Sequence, residues 1–233
     1  LYVLYICMPI IWQQVYAEQQ IVTLGASLFP PSAYIDKSTG KCVGENINVT
    51  TKILAHYNIK LEVVCTLPAR MYRLVKNSEV DFTVNPKSTK ALSPYVEFVD
   101  PPFKKLVINL YHYGTNSEFK TISAIRGFDY NGSRQTLVDQ NYKFVDLPTA
   151  ESALQLFLKR RSDALISYQS NVAHLKQQNS IVFPKEITVT PLLEVNAYYG
   201  ITKGSANFDL LRHVLNDYAE QHNLEYFVSQ KTD

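Results

Sequence analysis

Features that would place a chain in a specialised class are scarce in this 233-residue sequence. It has only eight glycines and no low-complexity tract, which excludes a disordered or linker-like composition. It also has no basic stripe: the net charge is +2, and the densest cationic cluster, Lys159-Arg160-Arg161, ends a predicted helix, where cations favour the terminal carbonyls. The sequence therefore predicts an ordered globule that does not bind nucleic acid.

The motifs of common enzyme classes are also missing. There is no Gly-x-Ser-x-Gly elbow, HExxH zinc motif or phosphate-binding loop. The five histidines lie far apart, and no Cys or His cluster indicates a metal. We therefore expect no cofactor and no catalysis. An enzyme of dehydratase type is the alternative, with Glu45, His112 or Asp129 as acid or base.

The most apolar segment stands at the start of the chain, where residues 1–12 carry no charge. It is too short to span a bilayer as a helix, and Val15 with Ala17 gives small residues at the spacing of a signal-peptidase site. No basic segment or initiator Met precedes it, so we expect the natural sequence to begin further upstream. We predict that residues 1–17 are a signal peptide cleaved near Ala17 and that the protein is periplasmic. The alternative is a buried N-terminal strand, which Pro9 disfavours.

Removal of that segment leaves two cysteines, Cys42 and Cys65, in a chain sent to an oxidising compartment. Their spacing excludes a CxxC motif, and a disulfide is one interpretation. Two separately buried thiols are the other.

The rest of the chain alternates between strand and helix patterns. In the first half, strand patterns cover residues 21–27, 59–64 and 80–84, and a helix pattern covers residues 48–57. After Asp100-Pro-Pro102 an apolar stretch over residues 106–113 marks the best candidate for a crossover between lobes. Further strand patterns cover residues 121–125, 144–146, 163–166 and 195–202, with helices after Thr149 and over residues 210–218. Such alternation predicts a largely parallel sheet.

Several short motifs follow one another in an order that is typical of a known family. They are Phe29-Pro-Pro31 with Tyr34, Gly40-Lys-Cys-Val-Gly44, Asn77-Ser-Glu-Val-Asp81, Phe98-Val-Asp-Pro101, Arg161-Ser-Asp163 and Tyr199-Gly-Ile-Thr-Lys-Gly204. Together they resemble the family 3 bacterial extracellular solute-binding proteins over nearly the whole mature chain. The resemblance implies an α/β, two-lobed type II periplasmic-binding-protein fold, in which each lobe is a mostly parallel sheet flanked by helices and two strands form the hinge.

The resemblance also implies how the lobes divide and what they do. We expect lobe 1 to comprise residues 18–108 and 198–233 and lobe 2 residues 109–197, with hinge rotation closing the lobes over a small polar or anionic ligand. Family members that hold amino acids carry an Arg before the Phe-Ser-x-Pro element. Here that region offers only Lys90, a point charge rather than a bidentate fork, so an amino acid is one ligand class among several.

The partners follow from the same resemblance. We expect a monomer that delivers its ligand to a membrane permease of an ABC transporter. The alternative is an exported sensor that presents its ligand-bound form to a receptor.

Candidate site residues follow from where strands end, because ligands of open α/β sheets lie beyond the carboxyl ends of the strands. The ligand-binding candidates are Phe29, Tyr34, Glu45, Arg70, Asn85, Ser88, Arg126, Tyr130 and Tyr168. Some also have a structural interpretation: Phe29 and Tyr34 can cover the edge of the core, and Glu45 can be a favourable first-turn acid. For Arg70 we favour a ligand role. A cation at the start of a helix opposes the helix dipole, so its presence there needs another explanation.

Overall fold

The computed structural model describes residues 19–114, 120–178, 181 and 183–228. The predicted signal peptide over residues 1–17 lies outside the described residues. Within them, strands and helices alternate along the chain, as the sequence patterns predict. No helix in these ranges is long and apolar enough to cross a membrane.

The first part of the chain forms short strands and two helices. They are β1 (Ile21–Ser27), β2 (Tyr34–Ile35), β3 (Cys42–Val43), α1 (Glu45–His56), β4 (Lys60–Thr66), α2 (Pro68–Lys76) and β5 (Phe82–Pro86). Helix α2 begins at Pro68, where the missing N–H needs no partner. Its Met71, Leu74 and Val75 are buried at helical spacing, so this face packs against the sheet.

The middle of the chain begins with a strand far longer than its apolar stretch predicts. The elements there are β6 (Val96–Tyr113), β7 (Thr121–Ile125), α3 (Ser133–Asp139), β8 (Lys143–Leu147), α4 (Ala150–Leu158), β9 (Ala164–Tyr168) and α5 (Gln169–Gln178). Thr149 caps α4, as predicted, by accepting a hydrogen bond from the Ser152 N–H at 3.1 Å.

The last part of the chain packs against the first part. Strand β10 (Ile187–Thr202) leads to helix α6 (Phe208–Gln221). Leu211, Val214 and Leu215 of α6 are buried in one core with Val22 and Leu24 of β1. One compact unit is therefore built from both ends of the described chain.

Eight of the strands form one sheet in the order β4-β1-β5-β10-β6-β9-β7-β8. β1 is parallel to both β4 and β5, and β7 is parallel to both β8 and β9. Between these parallel groups, β6 and β10 pair antiparallel along almost their whole length. We call the part containing β1–β5, α1, α2 and α6 lobe 1 and the part containing β7–β9 and α3–α5 lobe 2; β6 and β10 run through both.

The long strand pair carries an irregularity where it passes between the lobes. Ala197 pairs with Lys104, but Tyr199 pairs with Val99, so the ladder shifts register at Tyr198. Such bulges bend the strand that carries them. The lobe boundaries predicted at residues 108/109 and 197/198 fall within β6 and β10, and they stay a prediction.

A disulfide joins Cys42 to Cys65, with the two Cα atoms 5.9 Å apart. It connects the small β2–β3 hairpin, which forms its own two-stranded sheet, to edge strand β4 of lobe 1. The disulfide therefore gives the hairpin a second covalent connection to lobe 1, in addition to the polypeptide backbone.

Candidate functional site

A cavity of about 260 Å³ lies between the two lobes. Its walls come mainly from the carboxyl-terminal residues of β1, β5 and β9, from the segments that follow β1, β5 and β7, and from β6 and β10. This is the position at which open α/β sheets bind ligands. A void of this size, bounded by both lobes, can hold a small molecule.

Aromatic rings form one side of the cavity. The Phe29 ring from lobe 1 meets the Tyr168 ring edge-on at 4.8 Å between centroids and the Phe128 ring at 6.0 Å. The Tyr130 ring lies 5.7 Å from that of Tyr168, and Tyr72 of α2 adds a further aromatic lining residue. Phe29 therefore crosses from lobe 1 into the aromatic cluster of lobe 2, and the lobes touch beside the cavity.

The aromatic hydroxyls at the cavity are uncharged. Burial raises the pKa of Tyr72, Tyr130 and Tyr168 well above the usual value for a phenol. The Tyr130 hydroxyl also accepts a hydrogen bond from the Ile125 N–H at 2.8 Å, which fixes its ring at the end of β7. These groups can exchange hydrogen bonds with a ligand but add no charge.

Polar residues also line the cavity, chiefly from lobe 1 and from β6. Lys104 lines it from β6 with only 8% of its surface exposed. Its Nζ atom donates to the hydroxyl of Ser32 and, at 2.7 Å, to Oε2 of Glu45. An ammonium group has three donors, so one remains for a third acceptor. The charge of Lys104 is balanced by Glu45, so this ion pair offers the cavity a hydrogen-bond donor rather than a net charge.

Further polar groups line the cavity. The Asn85 amide donates to Oγ1 of Thr83 at 2.9 Å, which orients it at the end of β5. Oγ of Ser27 and Oδ1 of Asn46 belong to lining residues and are buried without a hydrogen-bond partner among the described residues. Buried polar groups are normally paired.

Charged residues also line the cavity from each lobe. Lys90 follows β5 in lobe 1, and Asp129 follows β7 in lobe 2. Among the described residues no group of His, Cys, Asp and Glu is arranged to hold a metal ion.

The structure places five of the nine predicted ligand residues on the cavity wall. They are Phe29, Asn85, Ser88, Tyr130 and Tyr168. Glu45 reaches the cavity through its ion pair with Lys104.

The remaining three predicted residues lie elsewhere. Tyr34 packs against His174 of α5, and Arg70 is exposed on α2. Arg126 is exposed and donates to the Asp146 carbonyl at 3.4 Å.

The ligand-binding candidates chosen from the sequence omit the lining residues Lys104, Tyr72 and Phe128. They also omit Asp129, which was considered only as an acid or base. Lys104 stands inside a strand rather than after one, so the rule that selects residues at strand ends passes over it. Phe128 and Asp129 carried a usable signal, because they follow β7 between two predicted residues, Arg126 and Tyr130.

Comparison with solved structures gives close matches in fold at low sequence identity. A histidine kinase sensor domain with similarity to periplasmic binding proteins is 16% identical, with a TM-score of 0.71, over 88% of this chain and 93% of that one. An ancestral arginine-binding protein bound to arginine is 17% identical, with a TM-score of 0.70, over 87% and 92%. A substrate-binding protein of an ABC uptake transporter from Streptococcus pneumoniae, with bound histidine, is 15% identical, with a TM-score of 0.71, over 87% of each chain.

These similarities establish the fold. The chain has the two-lobed type II periplasmic-binding-protein fold that its motif order predicts, with β6 and β10 as the two connecting strands. No protein-family model matches the sequence, and no curated protein is significantly similar to it.

Proposed function

We propose that this protein is an exported solute-binding protein that captures a small polar ligand between its lobes and releases it unchanged. The observation that carries the proposal is the cavity of about 260 Å³, which is bounded by both lobes and combines aromatic walls with buried hydrogen-bonding groups. Ligand sites commonly pair apolar walls with a few placed polar groups in this way.

The chemistry of the lining favours a ligand with a polar end and a flat or aliphatic part. Lys104, Asn85 and the unpartnered groups of Ser27 and Asn46 offer donors and acceptors on the lobe 1 side. The aromatic rings suit the less polar part. Lys90 from lobe 1 and Asp129 from lobe 2 add opposite charges, so a zwitterion such as an amino acid fits this lining.

The experiment is a thermal-shift screen with amino acids, small carboxylates, polyamines and sugars. A ligand present at one hundred times its Kd stabilises the native state by about 2.7 kcal/mol, which raises the Tm of a chain of this size by several degrees. Isothermal titration calorimetry then gives the Kd. If no compound in these classes raises the Tm, the proposed capture of a small polar ligand is wrong.

Delivery to a transporter and presentation to a receptor are both compatible with this site. We favour transport, which requires the protein to lie outside the cytoplasm; the export proposed from residues 1–17 would place it there. The sensor alternative is supported by the similarity to a histidine kinase sensor domain. Genes for a permease and an ATPase next to this gene favour transport, and a gene for a membrane receptor favours sensing.

An enzyme of dehydratase type needs an acid and a base at the cavity. Of the residues considered for those roles, Asp129 lines the cavity, Glu45 is engaged with Lys104, and His112 lies on β6 outside the described lining. This arrangement favours binding over catalysis.

A further inference from the structure

A short hairpin of lobe 1 reaches helix α5 of lobe 2. Strands β2 and β3 pair with Tyr34 opposite Val43 and Ile35 opposite Cys42. The Tyr34 ring lies 5.1 Å from the His174 ring, centroid to centroid, at an interplanar angle of 51°. We call residues 34–43 the clasp hairpin, because this contact joins the two lobes outside the cavity lining.

The clasp hairpin is held in shape by its own hydrogen bonds. Oδ1 of Asp36 accepts from the N–H of Ser38 at 3.1 Å and of Thr39 at 2.8 Å, and from both hydroxyls. These bonds lower the pKa of Asp36 to about 2, so the carboxylate stays ionised at neutral pH. The charged Asp36 side chain therefore holds the loop between β2 and β3 in one conformation.

The base of the hairpin is fixed to lobe 1 at two places. The disulfide from Cys42 to Cys65 ties it to β4. Immediately after it, Gly44 has a φ of 137°, and a Cβ atom there would lie 2.5 Å from the Ser32 carbonyl oxygen. Glycine alone permits this close approach. These two connections fix the position of Tyr34 relative to the rest of lobe 1.

In lobe 2, the environment of His174 favours packing against the Tyr34 ring. Its Nε2 atom is buried and has no hydrogen-bond partner among the described residues. Burial lowers the pKa of His174 below its usual value, so the imidazole is neutral at neutral pH. A neutral ring packs against a phenol without a charge to desolvate.

We propose that Tyr34 and His174 form a latch between the lobes, and that the clasp hairpin presents Tyr34 so that this contact sets the stability of the closed form. The inference rests on the proposed function, because closure matters only for a protein that binds between its lobes. Tyr34 and His174 are positioning residues: they act on the ligand through the lobe arrangement and do not line the cavity.

The test measures closure directly and then binding. Fluorophores attached at Lys52→Cys on α1 and Glu151→Cys on α4, both exposed positions in opposite lobes, report the interlobe distance by Förster transfer. Cys7 is replaced by serine, and the bonded Cys42 and Cys65 do not take the label. Dissociation rates are measured with L-arginine and L-histidine as probes, which are ligands in similar solved structures.

We expect Tyr34→Ala and His174→Ala each to lower the closed-to-open ratio of the free protein by about two- to tenfold, the range of an aromatic pair. The double variant should lose little more than either single one, and Tyr34→Phe should restore closure because it keeps the ring. Ile35→Ala, an exposed neighbour in the same hairpin, is the matched control. Probe dissociation should accelerate by about the same factor as closure is lost. The Tm of the free protein should fall by no more than a few degrees, because the closed form is one part of the native ensemble.

The two ideas fail separately. If neither probe nor any compound of the screen binds the unaltered protein, the proposed function fails, whereas the latch is still measured by Förster transfer in the free protein. If Tyr34→Ala and His174→Ala leave the transfer efficiency equal to that of Ile35→Ala, the latch is overturned whatever binds in the cavity.

Discussion

The Nζ atom of Lys104 lies 2.7 Å from Oε2 of Glu45, although 59 positions separate the two residues in the sequence. Lys104 is almost completely buried, whereas the Glu45 side chain keeps 41% of its exposure. Glu45 therefore balances and orients a buried ammonium group whose remaining donor is available to the cavity. Its acidic character at the start of α1 serves this ion pair in addition to the helix dipole.

Replacement of Lys104 by Met tests this arrangement. We expect Lys104→Met to weaken binding of the screened ligand at least tenfold, because the buried donor is lost while the chain volume is retained. Glu45→Gln keeps a hydrogen-bond acceptor and should weaken binding less. Titration calorimetry gives both Kd values; equal binding by Lys104→Met and the unaltered protein would remove Lys104 from the site.

A second pair of variants separates a lining residue from an exposed one. Asn85→Ala removes a buried amide at the cavity and should raise the Kd several-fold. Arg70→Ala changes an exposed side chain on α2 and should alter the Kd less than twofold. The same titrations check both, and a larger effect of Arg70→Ala would show that this residue reaches the ligand.

These residues show what the sequence predicts well and what it does not. Strand ends are local features, so Phe29, Asn85, Ser88, Tyr130 and Tyr168 could be selected and all line the cavity. Lys104 could not be selected, because its role depends on its contacts with Ser32 and Glu45, which lie far away in the sequence.

The same distinction holds for the secondary structure. The strand over residues 121–125 and the helix after Thr149 were predicted because apolar spacing and a cap mark them locally. Helix α5 was missed, since only Asn171, Val172 and Leu175 are buried along its ten residues and the apolar pattern is too sparse. The full length of β6 was missed because Pro101, Pro102 and two lysines interrupt its pattern.

The disulfide should contribute measurably to stability. A bridge between residues 23 positions apart restricts the unfolded chain, and we expect the double variant Cys42→Ser, Cys65→Ser to lower the free energy of unfolding by about 3 kcal/mol. Urea denaturation of the two proteins measures the difference. Reduction of the unaltered protein should produce the same loss, and an unchanged midpoint would contradict the expectation.

The Tyr130 hydroxyl is predicted to matter for stability apart from any ligand. Tyr130→Phe leaves the buried Ile125 N–H without its acceptor, which costs about 1–3 kcal/mol. Tyr95→Phe is the control, because that ring is only partly buried. Denaturation midpoints compare the two, and equal midpoints would argue that another group accepts from Ile125.

A carboxylate in lobe 2 gives a prediction for pH. Asp163 accepts from the N–H groups of Lys120 and Thr121 and from the Thr121 hydroxyl, and these bonds lower its pKa. A carboxyl with a lowered folded-state pKa stabilises the fold above its unfolded-state pKa, and this contribution is lost as the pH falls through the folded-state value. The free energy of unfolding of the unaltered protein should therefore fall as the pH drops below the usual pKa of an aspartate. Asp163→Asn should show a shallower loss over the same pH range, and parallel curves would assign the acid sensitivity to other groups.

The two lobes differ in how far apart their core residues lie in the sequence. Lobe 2 draws β7, β8, β9 and helices α3 to α5 from one uninterrupted stretch, whereas the core of lobe 1 joins Val22 and Leu24 near one end to Leu211 and Val214 near the other. A chain that emerges from its amino terminus can thus assemble the middle of the molecule while the earlier strands still lack the helix that covers them. Until α6 has been synthesised, the core of lobe 1 stays incomplete, because Leu211, Val214 and Leu215 belong to it.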